Sequence, residues 1–413
     1  MEIKLAQNSW YGGASTAITL PDDWDVTWCG IPADAAPVLD RAALKKAIDS
    51  PIGTKTIREL ALGKKEAAIV FDDMSRGTPC TETAEIVVEE LLEAGIDKGH
   101  IRFICALGSH GACDRTFFEK KLGKKICSEY AVFNHNPYQS TVYVGTTSGG
   151  VEIHTNEELM ACDLKIGLGS ISPHPVNGFG GGAKIVAVGC GSIGTIAGLH
   201  EACSRTMAKK GLSFFDCVGN LEQDGMRNEV EEAGKLIGLD FKIDAVLNTN
   251  CEIVALTAGD PIAEYYEGVK YAKLLNFTDK HPRDMDVVIV NANVKANEAA
   301  IAINLAAFLT RKGGTVVLVD FCAGGQVVHQ YSGLSGYFTG GPGYRGRRSY
   351  PDLNKIIYYT ENPDRYSLLT FGAPEYIEMV SSWADVQALL ADHGPGTKAA
   401  VVADGTITAY PAL

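Results

Sequence analysis

The residues best suited to chemistry are concentrated in one glycine-rich block of the chain. Between Lys165 and His200, 10 of 36 residues are glycine, and the block also contains His174 and Lys184. A further histidine, His110, lies in the segment ALGSHG behind an apolar run. An imidazole donates or accepts a proton near neutral pH, and glycine lets the backbone approach a ligand closely. The block is therefore the first candidate for a small-molecule site.

One interpretation of the block is a dinucleotide site. Gly189, Gly191 and Gly194 form G-x-G-x-x-G behind the apolar run 184–188, and this pattern is the fingerprint of a NAD-binding turn. The fingerprint requires a preceding strand and an acidic residue about 20 residues further on. The best candidate for that acid is Asp216. The GCGSIG segment therefore has two interpretations. It is either the cofactor-binding turn of a NAD-dependent 2-hydroxy acid dehydrogenase or a tight turn packed beneath a helix.

A more specific pattern extends over most of the chain. The segments DDMSRGTP, GSHG, PHPVNGFGGGAK and AGLH occur in this order, and the chain closes near VVADGTITAYP. Together they resemble the nickel-pincer-nucleotide-dependent lactate racemase family. The resemblance implies a 2-hydroxy acid racemase or epimerase that inverts the α-carbon by reversible hydride transfer to a nickel-pincer nucleotide (pyridinium-3,5-bisthiocarboxylic acid mononucleotide with Ni).

The resemblance also implies roles for individual residues. Lys184 would carry the cofactor covalently, and His200 would be the metal ligand, since Ni(II) accepts imidazole as a donor. His110 and His174 would be the catalytic acid/base pair. Two histidines are needed because the enzyme handles both enantiomers, so one imidazole takes the hydroxyl proton and the other returns it.

The remaining cofactor contacts implied by the resemblance come from the two segments that flank these histidines. Asp73 in DDMSR, together with Gly181 and Gly182, would contact the cofactor. Asp72 replaces Asp73 in this role if the register differs by one residue. A surface ion pair is the alternative for Asp73.

Two cations would bind the substrate according to the same resemblance. Arg76 can grip a carboxylate through a bidentate fork, or it orients a catalytic histidine. Lys295 in NANVKANE resembles a lysine that contacts the substrate carboxylate, although the segment lacks the usual Tyr-Pro lead. Gly77 stands where the family often has proline. A surface ion pair is again the alternative, and Arg345, Arg347 and Arg348 offer either a second anion site or a solvated loop.

Apolar runs alternate with amphipathic runs along the chain, which predicts α/β layers with mainly parallel sheets. Strand-like runs occupy 66–71, 101–107, 128–133, 141–145, 164–168, 184–188, 241–247, 253–256, 286–290, 315–320 and 399–402. Helix-like runs occupy 81–94, 261–275, 297–309, 373–380 and 384–390.

We expect two α/β domains with the active site in the cleft between them. Residues 1–260 would carry the cofactor and the catalytic histidines, and residues 261–413 would close the cleft; whether the last strand returns to the first domain is open. Polar segments follow three strand-like runs directly, at 72–73, 108–110 and 291–295. Ligands of open α/β sheets bind beyond the carboxyl ends of the strands, so these segments are expected to converge.

Composition narrows the class of protein. The 413 residues carry a net charge of −13, which argues against binding to nucleic acid or to anionic membranes. Eleven cysteines without a C-x-x-C pair indicate reduced thiols, and the N-terminal residues lack the apolar core of a signal peptide. We therefore expect a cytoplasmic enzyme that acts on a small 2-hydroxy acid and depends on separate enzymes to build and load its cofactor. A noncatalytic cofactor carrier is a further alternative.

Overall fold

The structure is a computed structural model, and it describes residues 1–7, 10, 13–212, 214–222, 226–329, 349–372 and 376–410. Arg345, Arg347 and Arg348 lie outside the described residues. The strands are β1 (Glu2–Gln7), β2 (Ala14–Thr19), β3 (Asp25–Cys29), β4 (Ala67–Asp72), β5 (Ile101–Ala106), β6 (Ala131–Asn134), β7 (Thr141–Thr146), β8 (Glu152–Asn156), β9 (Leu164–Ser170), β10 (Pro173–His174), β11 (Gly178–Phe179), β12 (Phe241–Leu247), β13 (Ile253–Gly259), β14 (Met285–Asn291), β15 (Thr310–Val319), β16 (Lys355–Tyr359), β17 (Ile377–Val380) and β18 (Lys398–Val402).

The α-helices are α1 (Arg41–Asp49), α2 (Ile57–Ala61), α3 (Thr81–Glu93), α4 (Arg115–Glu129), α5 (Glu157–Ala161), α6 (Lys184–Ala187), α7 (Ile193–Lys210), α8 (Phe214–Cys217), α9 (Arg227–Ile237), α10 (Ala263–Leu275), α11 (Ala300–Leu309), α12 (Arg365–Phe371) and α13 (Trp383–Leu389). Short 3-10 turns cover Pro32–Ala35, Lys98–His100 and Ala296–Glu298.

The first large sheet has the strand order β13-β12-β9-β4-β5-β6. All of its neighbouring strands are parallel except β12 and β13, which form an antiparallel pair. One face packs against α1, α3, α4 and α10, and the other packs against α6, α7 and α9. Because both faces are covered, every residue of β4 is buried, which explains its continuous apolar run.

The second large sheet has the order β17-β16-β15-β14-β18-β3, and all of its pairs are parallel. The last strand, β18, lies between β14 and β3 within this sheet. Residues 25–29 therefore belong to the second sheet, whereas α10 packs on the first. The expected mixed α/β fold with mainly parallel sheets is confirmed, and the division of the chain at residue 260 stays a prediction.

Two predicted elements have the wrong type. The run 184–188 was expected to be a strand but is the helix α6, whose Val186 and Ala187 are buried against the first sheet. The run 373–380 was expected to be a helix, but its described part contains β17, which pairs with β16. Short apolar runs have no decisive period, so packing selects the element in both cases.

Two further findings concern membrane-spanning helices and the cysteines. Across the described ranges, no helix combines the length and the apolar composition that crossing a bilayer requires. None of the eleven cysteines forms a disulfide bond, and most of them are buried. Their reduced state stays a prediction.

Candidate functional site

The four residues with the most specific predicted roles line one cavity. His110, His174, Lys184 and His200 surround a space of about 200 Å³. Its walls also include Asp73, Arg76, Gly181, Glu298 and His329. The structure thus brings together residues that are up to 256 positions apart in the printed sequence, from segments that follow strands of both large sheets.

Strand ends place the histidine and the two acids of this cavity. Asp72 is the last residue of β4 and Asp73 follows it, while His110 lies four residues beyond the end of the neighbouring strand β5. Because β4 and β5 are parallel neighbours, their carboxyl ends meet at the same edge. The expectation that the segments 72–73 and 108–110 converge is therefore met.

Asp73 orients the imidazole of His110. Its Oδ2 lies 2.6 Å from Nδ1 of His110, and its Oδ1 accepts bonds from the N–H of Ser75 at 3.0 Å and from the hydroxyl of Ser75 at 2.5 Å. Burial lowers the pKa of His110, but the Asp73 carboxylate outweighs burial and leaves the pKa above 6.5. A ring that donates from Nδ1 presents Nε2 to the cavity.

Asp72 pairs with a lysine that the sequence did not single out. Lys121 on α4 is buried, and its Nζ contacts Asp72 Oδ1 and donates to the carbonyl of Arg76 at 2.9 Å. Asp72 Oδ2 accepts a bond from Thr78 at 2.7 Å. This buried pair holds the loop that carries Asp73, so the two acids have separate tasks.

Replacing Lys121 with methionine is expected to lower the free energy of unfolding by about 3–5 kcal/mol, since it leaves the buried Asp72 carboxylate without its cation. Chemical denaturation at neutral pH measures this loss. The double variant with Asp72→Asn is the control, because removing both charges costs less than removing one. An unchanged stability in Lys121→Met contradicts the bracing role.

His174 and Lys184 contact each other directly, with Nε2 and Nζ 2.6 Å apart. The N–H of Val176 donates to Nδ1 of His174 at 3.3 Å, which favours the tautomer with its proton on Nε2. Burial, followed by the charge of Lys184, lowers the pKa of His174 well below 6.5. Burial and the Arg76 charge likewise lower the pKa of Lys184 well below 10.5. The surroundings therefore favour a neutral amine, which is the nucleophilic form of lysine.

The glycine run before Lys184 fits against a buried acid. The N–H of Gly182 donates to Asp244 Oδ2 at 2.6 Å, and Asp244 Oδ1 in turn accepts from Lys242 at 2.5 Å. Gly181 has a φ of +88°, and a Cβ there would lie 2.6 Å from Ile171. Only glycine fits this position, which brings the backbone to the wall of the cavity without a side chain. The sequence did not identify the support from Lys242 and Asp244.

His200 lies on α7, which begins after the capping residue Ser192. Its Nδ1 donates to the carbonyl of Ile196 at 2.7 Å, one helical turn earlier. This bond fixes the tautomer, so the lone pair of the neutral ring is on Nε2, as in histidines that bind a metal. His200 lines the same cavity as Lys184, and its role as a metal ligand stays a prediction.

Arg76 pairs with an acid that the sequence analysis missed. Its Nη1 lies 2.5 Å from Oε2 of Glu298, which follows β14 of the second sheet. Lys295 lies three residues before Glu298 and lines a small neighbouring cavity together with Gly77. Burial and the Arg76 charge lower the pKa of Lys295 to about 7. In the sequence, the one signal for Glu298 is its position a few residues after the predicted strand 286–290.

The dinucleotide interpretation loses its structural basis. The fingerprint at Gly189, Gly191 and Gly194 needs a strand immediately before it, but α6 occupies that place. Asp216 lies in the short helix α8 rather than at the end of a second strand. Gly189 and Gly191 instead lie in the tight turn between α6 and α7, and Gly194 lies in the first turn of α7. A tight turn was the alternative interpretation.

Comparisons with known proteins all point to one family. Residues 11–211 match the family model described as the lactate racemase N-terminal domain. The lactate racemase of Thermoanaerobacterium thermosaccharolyticum is 24% identical over 325 residues, which cover 76% of this chain and 74% of that protein. The lactate racemase of Lactiplantibacillus plantarum is 27% identical over 295 residues, which cover 68% of this chain and 66% of that protein.

Solved structures show the same fold. The lactate racemase apoprotein from T. thermosaccharolyticum has a TM-score of 0.74 at 18% identity, with 100% of both chains covered. A protein from Thermotoga maritima has a TM-score of 0.64 at 16% identity, with 90% of this chain and 98% of that chain covered.

Proposed function

We propose that this chain is a member of the lactate racemase family, to which it is similar over most of its length, and that it is an isomerase that inverts the α-carbon of a 2-hydroxy acid. One observation carries the proposal. His110, His174, Lys184 and His200 line a single cavity, although the first of them is separated from the other three by more than 60 residues of sequence. Acid–base groups, an amine with a lowered pKa and an imidazole of fixed tautomer are thus available to one small substrate.

The residues present fit a lysine-tethered nickel-pincer nucleotide. The lowered pKa of Lys184 favours the neutral amine that forms a covalent bond, and the Nδ1 bond of His200 to Ile196 leaves Nε2 as the metal donor. Gly181 lines the same cavity as Lys184 and His200, and it contributes no side chain to the cavity wall. When bound, this group would supply a hydride acceptor for the α-carbon, and such chemistry is the cofactor's rather than the protein's.

The two histidines would hold and move the hydroxyl proton of the substrate. Their surroundings push the two pKa values apart, since Asp73 raises that of His110 while burial and Lys184 lower that of His174. A pair arranged in this way contains one acid and one base at the start of a turnover. A covalent bond at Lys184 would keep its nitrogen uncharged, so the Lys184 charge could no longer contribute to the lowered His174 pKa. The two imidazoles would then be closer in basicity, as a reaction that runs in both directions requires.

Arg76 and Lys295 would provide the positive charge that attracts the substrate carboxylate. Arg76 already binds Glu298 through Nη1, but a guanidinium has five N–H donors and can serve two carboxylates. Lys295 is buried, and with a pKa of about 7 it retains a partial charge at neutral pH. Asp73 would hold His110 in place. Contact with the cofactor is a second proposed role of Asp73.

Two properties of the protein in the cell complete the proposal. Its free cysteines are consistent with a reducing compartment, so we place the enzyme in the cytoplasm. Because a pincer nucleotide has to be built and inserted elsewhere, separate loading enzymes would be its partners.

The loaded protein is expected to convert either enantiomer of a 2-hydroxy acid into the racemate, with lactate as the first compound to test. Chiral chromatography follows the conversion, and unloaded apoprotein is the control. A substrate with deuterium on the α-carbon should keep that deuterium in the product, because hydride transfer does not exchange with water. Accumulation of the 2-oxo acid with reduction of added NAD would instead identify a dehydrogenase and contradict the proposal.

A further inference from the structure

Three side chains in the cavity converge on one point, and one of them, His329, has no role in the proposed reaction. His110 follows β5, Glu298 ends the 3-10 turn after β14, and His329 lies beyond β15, so both large sheets contribute. Nε2 of His329 lies 3.5 Å from Oε1 of Glu298, and Nε2 of His110 lies 3.9 Å from the same oxygen. The two imidazole rings are edge to face, with centroids 4.6 Å apart.

From this geometry we propose that His110, Glu298 and His329 form a binding site for a divalent transition-metal ion such as Zn²⁺. Two imidazoles and one carboxylate are a common donor set for zinc, with the fourth position left to water or a ligand. The site is additional to the metal that His200 would hold. Its occupation would block the proposed acid–base chemistry, because the metal takes the Nε2 lone pair of His110.

The distances between the donor atoms are close to those of a metal site. Bond lengths of about 2.0–2.1 Å to a tetrahedral ion place two donors about 3.4 Å apart. The two separations from Glu298 Oε1, 3.5 and 3.9 Å, therefore need to shorten by at most about half an ångström. The donor atoms of all three residues lie within 4.8 Å of one another.

Outer hydrogen bonds already orient two of the three donors. Asp73 accepts from Nδ1 of His110 at 2.6 Å, which is the carboxylate–histidine–metal arrangement of natural sites. Arg76 binds Oε2 of Glu298 at 2.5 Å and leaves Oε1 directed at the imidazoles. His110 and Glu298 thus each present one atom to the common point and have the other atom held from behind.

Charge and access also suit a cation. Asp73 and Glu298 place two carboxylates beside the donor atoms, and the guanidinium of Arg76 pairs with Glu298. The side chains of His110, Glu298 and His329 are 13%, 11% and 37% exposed, so an ion can reach them from solvent.

Titration of Zn²⁺ into the apoprotein, prepared without loading enzymes and stripped with a chelator, tests the site. Wild-type protein is expected to bind one Zn²⁺ per chain in competition with a chromophoric chelator. Glu298→Gln and His329→Ala are each expected to weaken binding about tenfold or more, since even outer-shell changes cost that much. His329→Ala alters a partly exposed side chain and so keeps the test valid if Glu298→Gln fails to fold.

Three comparisons decide the outcome. His100→Ala is the matched control, because His100 also contacts a carboxylate, Glu66, at 2.5 Å, and binding should be unchanged. His200→Ala should likewise leave it unchanged. The proposal is overturned if wild type binds no Zn²⁺, if His329→Ala binds as tightly as wild type, or if alkylation of the thiols alone removes the binding.

The inhibitory consequence is a separate measurement that rests on the proposed function. In loaded enzyme, Zn²⁺ should stop racemisation reversibly, and His329→Ala should need about tenfold more Zn²⁺ for the same fractional inhibition. Equal sensitivity of the two proteins overturns the inhibitory role. A loaded enzyme without racemase activity leaves the binding result intact, because binding is measured on the apoprotein.

Discussion

Replacing Lys184 with alanine is expected to remove the cofactor from the protein and to abolish racemisation. Lys184 has a lowered pKa and contacts His174 at 2.6 Å, so its amine is the nucleophile best placed in the cavity to form a covalent bond. The denatured intact mass of protein purified from its native host should show an adduct in wild type. The same measurement on Lys184→Ala should show the mass of the unmodified chain.

A second buried lysine serves as the control for this prediction. Lys165 is also buried in the first sheet, but its Nζ donates to the carbonyl of Cys162 at 2.9 Å, away from the cavity. Lys165→Met should therefore keep the adduct. An adduct that survives in Lys184→Ala contradicts the tether. So does an active wild-type preparation whose mass is that of the unmodified chain.

The sequence predicted the site well where its residues share a continuous motif. His174, Lys184 and His200 lie within 27 positions, and a local motif fixes their spacing before any tertiary contact forms. His110 and Asp73 were also identified, because each follows an apolar strand and parallel strands bring such ends together. These five residues do converge on one cavity.

Residues that act through long-range contacts were not predicted. Glu298 pairs with Arg76 across 222 positions, and Lys121 reaches Asp72 from a helix 49 positions away. Neither residue lies in a recognisable motif. An acid in a polar segment and a lysine on a helix are usually exposed, so their residue types do not indicate a buried ion pair. Their roles depend on how the sheets and helices pack, which no local pattern specifies.

The fold class could be predicted from the alternation of apolar strands and amphipathic helices. The order of the strands along the chain, however, does not predict which strands pair in the sheets. Residues 25–29 pair with β18 near the other end of the chain, so the second sheet contains both the early and the late strands. The error at 184–188 has a local cause. Four apolar residues after Lys184 suit a buried strand or one helical turn equally, and packing against α9 and the first sheet selects the turn.

Removing either of the two imidazoles proposed as the acid–base pair is expected to lower the rate of racemisation by about 100-fold or more in both directions, which is the usual contribution of general acid–base catalysis. His110→Asn is the sharper variant, because its amide can still donate to Asp73 while the proton-carrying Nε2 is lost. His174→Gln keeps a polar group beside Lys184. Initial rates of the loaded variants, started separately from each enantiomer, measure the effect.

Loading has to be separated from catalysis in these variants, and the structure predicts how they differ. The nearest contacts of His110 are Asp73, Glu298 and His329, so His110→Asn should carry the full mass adduct at Lys184. His174 contacts Lys184 itself, so rates of His174→Gln are compared per loaded chain. Normal turnover in either loaded variant contradicts the acid/base pair. A loss confined to one enantiomer would also contradict it, because one imidazole takes the proton and the other returns it in every turnover, whichever enantiomer enters.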